Sequence, residues 1–181
     1  MIIGLTGGIG SGKSAVAGMF GKYGYKIVDA DKVGHKLLNE EIVKKKVIGE
    51  FGTANREKLG RIVFNDTSKL RKLNKIMWPL ISGKIKTLIK GKKKVVIEAA
   101  VLIEAGWHKY VDKVVVVKTN KENQMKRLLK VKRYSKQVIN NIIKVQTSQS
   151  KRLKYADYIV DNNKSLSELN GQVKGIVSEL K

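Results

Sequence analysis

Five short apolar runs are separated along the chain by stretches whose apolar positions step by three and four. Met1-Ile2-Ile3-Gly4-Leu5-Thr6, Tyr25-Lys26-Ile27-Val28-Asp29, Val95-Val96-Ile97, Val114-Val115-Val116-Val117 and the weaker Ala156 to Val160 predict strands near 2–6, 26–29, 94–98, 113–118 and 157–161. Runs without polar alternation are those of strands buried on both faces, which places them in a parallel sheet. A helix is expected from about Lys13, and another from Asp31 with Val33, Leu37 and Leu38 inward. Glu41 to Phe51 has Ile42, Val43, Val47, Ile48 and Phe51 apolar, with Gly52 as its stop. Leu59, Ile62 and Val63 mark a short helix ending near Asn65-Asp66. Ser68 is expected to cap a long one through Leu70, Leu73, Ile76, Met77, Leu80, Ile81, Ile85 and Leu88, kinked or divided at Pro79. Lys121 to about Lys130 and Ser165 to Leu180 complete the set, the last opening on the capping box Ser165-Leu166-Ser167-Glu168.

Strands alternating with helices predict a three-layer α/β/α sandwich on a five-stranded, mostly parallel sheet. Only helices lie between the second and third strands, so that interval, about 31–90, reads as an insertion on one side of the sheet. At 181 residues, 42% hydrophobic and 29% charged, the chain is expected to be a single folded domain over 1–181. It has no cysteine, which excludes disulfides and thiolate metal sites. With no run of 18 apolar residues and no signal-like start, no membrane contact and a cytoplasmic location are expected.

Chemistry enters at Gly7-Gly8-Ile9-Gly10-Ser11-Gly12-Lys13-Ser14, which satisfies G-x-x-x-x-G-K-[ST] between a strand and a helix. Glycines allow the loop to curl its amides around an anion, and the following helix points its positive end at the same place. Gly8, Gly10, Ser11, Gly12, Lys13, Ser14 and Ala15 are therefore the expected contacts to the phosphates of a nucleoside triphosphate, with Lys13 on the β/γ-phosphates and the Ser14 hydroxyl on Mg²⁺. In sheets of this kind the site lies at the carboxyl ends of the strands. The second strand brings Asp29 and Asp31 there, with His35 one helical turn beyond. Asp31 could accept the proton of an attacking hydroxyl, and His35 could orient it. Glu98 ends the third strand, where an acid holds the metal ion; Glu104 is a further candidate. Arg127, Lys132, Arg133 and Arg152 could supply cations to the transferring group, and the turn Lys130 to Ser135 fits a lid spanning about 128–137.

A net charge of +23 is compatible with polyanionic substrates, a nucleic-acid surface, or a lysine-rich exterior without function. The lysine runs 44–46 and 90–94 carry no interleaved aromatics that could stack on bases, so nucleic acid is not expected as the main partner. A guanine-nucleotide switch protein is disfavoured as well. Asp31-Lys32-Val33-Gly34 matches D-x-x-G but comes off the second strand, immediately after the first helix, leaving no room for a switch segment, and Asn123 stands where Asn120-Lys121-Glu122 calls for an aspartate.

Gly4 to Ser14, followed by Val28-Asp29-Ala30-Asp31 with His35, resembles dephospho-CoA kinase. So does Ile97-Glu98-Ala99-Ala100-Val101-Leu102-Ile103-Glu104-Ala105-Gly106-Trp107. Gln146, Arg152 and Ala156-Asp157-Tyr158-Ile159-Val160-Asp161-Asn162 are similar to that family's C-terminal signature. The resemblance runs from residue 2 to about 163 and implies a P-loop kinase fold. It implies transfer of the γ-phosphoryl of ATP to the ribose 3′-hydroxyl of dephospho-CoA, the last step of coenzyme A synthesis. Asp31 would be the general base with His35 beside the acceptor, Arg152 would contact ATP phosphates and Asn162 would lie near the adenine. The helical insertion would be the CoA-binding region, and the protein is expected to act as a monomer. The chain departs from the family pattern at Trp78, usually histidine; at Ala100, usually proline; at Glu98, more often aspartate; and at the lid, where Arg133 lies two residues out of register. The alternatives are a nucleoside or nucleotide kinase and a basic nucleic-acid-binding ATPase.

Overall fold

A computed structural model of the protein describes residues 1–130 and 136–180. The strands are β1 (Ile2–Thr6), β2 (Lys26–Asp29), β3 (Val95–Glu98), β4 (Lys113–Lys118) and β5 (Tyr158–Asp161). All five are parallel, in the order β2-β3-β1-β4-β5. Every expected strand is present with its ends within a residue. The apolar runs form the two middle neighbours of β1, where Ile3, Leu5, Val95, Val96, Val115 and Val116 are fully buried. Each such side chain contributes roughly 1.5–3 kcal/mol by leaving water.

One face of the sheet is covered by α1 (Lys13–Lys22) and α9 (Leu166–Glu179), through Val16, Ala17, Phe20, Leu169, Val173 and Val177. The other carries α2 (Ala30–Leu38), α3 (Glu41–Phe51), α4 (Arg56–Phe64) and α5 (Thr67–Ile89), all between β2 and β3. The segment after β3, ending in a 3-10 turn at Trp107–Tyr110, covers the same face. The chain is completed by α6 (Lys121–Lys130), α7 (Lys136–Val145) and α8 (Gln149–Leu153). Among the described residues no helix is long and apolar enough to cross a membrane.

Three local expectations are corrected. The long helix is capped by Asp66 rather than Ser68: Asp66 Oδ1 accepts from the amides of Ser68 and Lys69, 2.8 and 3.2 Å away. A carboxylate at this end is favoured over a hydroxyl because it also meets the helix's positive pole. Pro79 does not divide α5, which runs 23 residues. Met77 and Ile81, buried on either side of the proline, anchor both halves to the core and outweigh the lost helical bond. At β2 the capping aspartate is Asp29, whose Oδ1 accepts from the Lys32 amide at 2.9 Å. Asp31 is thus not at the strand end beside Asp29 but inside the first turn of α2, its carboxylate free of capping duty. The capping box of α9 forms as its sequence predicts.

Sheet register sets the site. Leu5 of β1 pairs with Glu98, and Glu98 with Asp29, so the phosphate loop and two acids leave the sheet at one level.

Candidate active site

The loop after β1 has the geometry its glycines allow. Gly12, the N-cap of α1, lies at φ 92°, in the left-handed region. A Cβ there would stand 2.0 Å from Asn162 Nδ2, so neither the torsion nor the space admits another residue. At Gly7 a Cβ would meet the Val117 carbonyl oxygen at 2.6 Å. Among the described residues the amides of Gly10, Gly12, Lys13 and Ser14 donate to no protein group, and α1 carries no acid in its first turn. Amides left over at a helix start, with the helix dipole behind them, bind anions. Lys13 is buried, and its Nζ donates to the carbonyls of Gly7 and Gly8 at 3.0 and 3.2 Å, which holds the ammonium over the loop.

Three carboxylates face this ammonium. Glu98 is 8% exposed, and its Oε1 accepts from Ser14 Oγ at 2.7 Å. Burial raises its pKa, while the Ser14 hydrogen bond pulls it back. Asp31 keeps an accessible side, yet the surrounding protein displaces enough water to raise its pKa. The charge on Lys13 lowers it, Asp29 reinforces the rise, and Arg56 opposes it. Lys13 is held below its ordinary value by burial, against the pull of Asp31 and Glu98. His35 is exposed on α2, one turn beyond Asp31. Loop, lysine, base candidate and metal candidates thus converge.

Arg152, 3% exposed, comes from α8 on the opposite side. Its Nη2 donates to Glu104 Oε1 at 3.3 Å and to the Ala100 carbonyl at 3.4 Å, while Nη1 lies 3.7 Å from where a Gly8 Cβ would be. Among the described residues Arg152 Nε and Glu104 Oε2 are buried without a hydrogen-bond partner. A guanidinium with spare donors above a phosphate loop can bind a phosphate oxygen. Glu104 therefore aims Arg152; its Oε1 also accepts from the Thr147 amide at 2.8 Å.

Beneath the loop lies a buttress of polar side chains. Asn162 Nδ2 donates to the Ser11 carbonyl at 2.7 Å, and Arg127 donates to the same carbonyl and to Asn162 O and Oδ1. Asn162 is 7% exposed, with its amide directed at the loop itself. Gln146 Oε1 accepts from the Ile9 amide at 3.0 Å, while Gln124 Nε2 donates to the Ile9 carbonyl. The two peptide groups flanking Ile9 are thus each held by a glutamine. Sequence reading passed over Gln124 and Thr119, whose Oγ1 accepts from Arg127 Nη1 at 3.3 Å. The trace of Gln124 was a polar i, i+3 pair with Arg127 on α6, a helix with no buried residue. Asn120 and Asn123 read no base: Asn120 Oδ1 accepts from the Asn123 amide at 2.8 Å and caps α6. Lys132 and Arg133, with most of the proposed lid turn, lie outside the described residues.

The family model described as dephospho-CoA kinase matches residues 1–168 of the chain. A dephospho-CoA kinase of Dehalococcoides mccartyi is 37% identical, over 98% of this chain and 96% of that protein. Among solved structures, a dephospho-CoA kinase from Campylobacter jejuni is 27% identical with a TM-score of 0.68, covering 99% of this chain and 96% of that one. The structure titled TT1252 from Thermus thermophilus is also 27% identical, with a TM-score of 0.82 and coverage of 100% and 98%.

Proposed function

The chain belongs to the dephospho-CoA kinase family, and from that premise we propose how its own residues carry out the ATP-dependent phosphorylation of dephospho-CoA to coenzyme A. The observation that carries the assignment is the convergence of the phosphate loop, Lys13, the Ser14–Glu98 pair and the unencumbered Asp31 at one strand edge.

The amides of Gly10, Gly12, Lys13 and Ser14 and the Lys13 ammonium receive the β- and γ-phosphates of ATP. Arg152, aimed by Glu104, reaches the same phosphates from above Gly8. The acceptor hydroxyl oxygen bonds to the γ-phosphorus as the bond from that phosphorus to the β,γ-bridging oxygen breaks, and ADP leaves. The hydroxyl proton passes to the Asp31 carboxylate. Asp31 suits the task because burial raises its pKa, which makes its carboxylate a stronger base than an ordinary aspartate, while the Lys13 charge opposes that rise. His35, on the same helix, stands beside the acceptor. Asn162 and Arg127 act on the loop, fixing the Ser11 carbonyl so that the neighbouring amides point inward.

Ser14 Oγ and Glu98 Oε1 are hard oxygen donors 2.7 Å apart beside the loop, a set that fits Mg²⁺. Among the described residues no group of three or more acids or histidines could hold a metal, so the ion would share its coordination with the triphosphate. Bound there, Mg²⁺ would neutralise charge developing on the phosphates. The helices of 31–90 form the acceptor-binding region, 128–137 the lid, and the enzyme acts as a cytoplasmic monomer in this reading.

The experiment is ADP release with Mg-ATP and dephospho-CoA, AMP, CMP, adenosine or duplex DNA, with the product mass measured. Turnover with dephospho-CoA alone, yielding coenzyme A, is expected. Turnover driven only by another acceptor or by DNA would overturn the reading. Arg152→Ala should raise KM for ATP about tenfold or more, the scale of a lost charge-assisted hydrogen bond, with KM for dephospho-CoA nearly unchanged. The reverse split would move Arg152 to the acceptor.

A further inference from the structure

The tip of the phosphate loop is a turn that the rest of the protein holds in one of two orientations. The Ser11 amide donates to the Gly8 carbonyl at 3.1 Å, and Gly10 lies at φ 74°, so Gly8-Ile9-Gly10-Ser11 has the form of a type II turn. Types I and II differ chiefly by a flip of the central peptide, here the one joining Ile9 to Gly10. A glycine after that peptide leaves both open to the chain. A trans peptide points its C=O and N–H to opposite sides, so whatever holds the Ile9 carbonyl also aims the Gly10 amide.

Two glutamines do the holding. Gln124 Nε2, from α6, donates to the Ile9 carbonyl, and Gln146 Oε1, just past α7, accepts from the Ile9 amide at 3.0 Å. On the inner side the Gly8 carbonyl accepts from Lys13 Nζ at 3.2 Å, and the Gly10 amide donates to no protein group among the described residues. The polar groups therefore alternate: the Gly8 carbonyl inward, the Ile9 amide and carbonyl outward, the Gly10 amide inward. Helix α6 lies close against the turn. A Cβ on Gly10 would meet Leu128 Cγ at 2.8 Å and the Gln124 backbone oxygen at 3.1 Å.

Resting on the nucleotide reading above, we propose that Gln124 is a positioning residue that keeps the Ile9-to-Gly10 peptide from flipping, so that the Gly10 amide stays turned toward the ATP phosphates. In the flipped turn that amide points away. The Ile9 carbonyl then joins those of Gly7 and Gly8 on the anion's side, and a donor is replaced by a repelling dipole. Gln146 secures the preceding peptide in the same sense. Selecting one turn before ATP arrives removes a reorganisation from binding.

Calorimetric binding of ADP, with hydrogen exchange at the loop amides, tests this without requiring turnover. Gln124→Met keeps the length of the side chain and removes its donor. It should weaken ADP about tenfold, the scale of one lost hydrogen bond, and leave KM for dephospho-CoA within about twofold. In the parent, ADP should slow exchange at Gly10, Lys13 and Ser14; in Gln124→Met the slowing should vanish at Gly10 and persist at Lys13 and Ser14. Gln124→Glu has nearly the same shape and the opposite polarity. Its carboxylate should draw the Gly10 N–H outward, so Gly10 should be protected even without nucleotide. Because α6 has no buried residue, both variants should melt near the parent temperature. Gly10 protection by ADP that persists in Gln124→Met would show that the peptide keeps its orientation unaided, and would overturn the proposal. Protection lost equally at all three amides would mean a general loosening of the loop and overturn it too. A parent protein that fails to bind ADP would instead strike the nucleotide assignment itself.

Discussion

Lys13→Ala should reduce kcat by about 10³-fold, the scale of removing a preorganised charge from a transition state that develops negative charge. The ammonium is buried and already positioned by the Gly7 and Gly8 carbonyls, so little reorganisation accompanies the reaction. Charge here also acts in a medium poorer in water than the surface, where it is worth more. The fold should survive, because Lys13 makes no core contact that the flanking Val16, Ala17 and Phe20 do not secure independently. Rapid-quench turnover beside a thermal melt separates the two effects. A near-normal rate would remove Lys13 from the mechanism. A collapsed melt would mean that the lysine is a structural tie for the loop.

The reading from sequence succeeded where local pattern and chemistry coincide. The strand β1, the glycine loop and Lys13 form one continuous segment, so the fold and the anion site were visible together. Glu98 was legible because a strand's last residue must emerge at the sheet edge, and the register places it beside Leu5 and Asp29. Asp31 was assigned the right neighbourhood by the wrong geometry. The second strand was expected to carry it there with Asp29, but the chain has already turned into α2 at Ala30. The correction strengthens its candidacy, since Asp29 takes the cap and leaves Asp31 free.

The buttress was not legible, for a different reason. Ser11 is held by Asn162, 151 residues away, and Ile9 by Gln124 of α6 and by Gln146, just past the end of α7. Nothing in a glutamine's local surroundings announces such a partner; only the assembly of the sheet brings the end of β5 and the start of α6 against the loop after β1. The same holds for Glu104, a candidate for the metal ion by sequence, whose partner is Arg152, 48 residues further on. Long-range polar pairing of this sort preorganises the loop, which is where most of the rate enhancement in phosphoryl transfer resides.

Asp31→Asn is expected to cost roughly 10²- to 10⁴-fold in kcat, the range of a lost general base, while KM for ATP stays nearly constant. The parent pH profile supplies a second signature. Because the Asp31 pKa is raised, the acid limb of kcat should fall at a pH above that of an ordinary aspartate, and the variant should lose that limb. Stability should move the other way. A carboxyl whose folded pKa is raised binds its proton more tightly in the native state. Its ionised form therefore burdens the fold above the folded pKa, and the burden disappears as pH falls below the unfolded value. The substituted amide carries no charge at any pH, so the variant should melt at or above the parent temperature near neutrality, with the difference closing in acid. Lost turnover with retained or increased Tm identifies a residue kept for chemistry at the expense of stability. Lost turnover with an equally lowered Tm would mean that Asp31 holds α2 in place, and a near-normal kcat would pass the proton to another group, of which His35 is the nearest along α2.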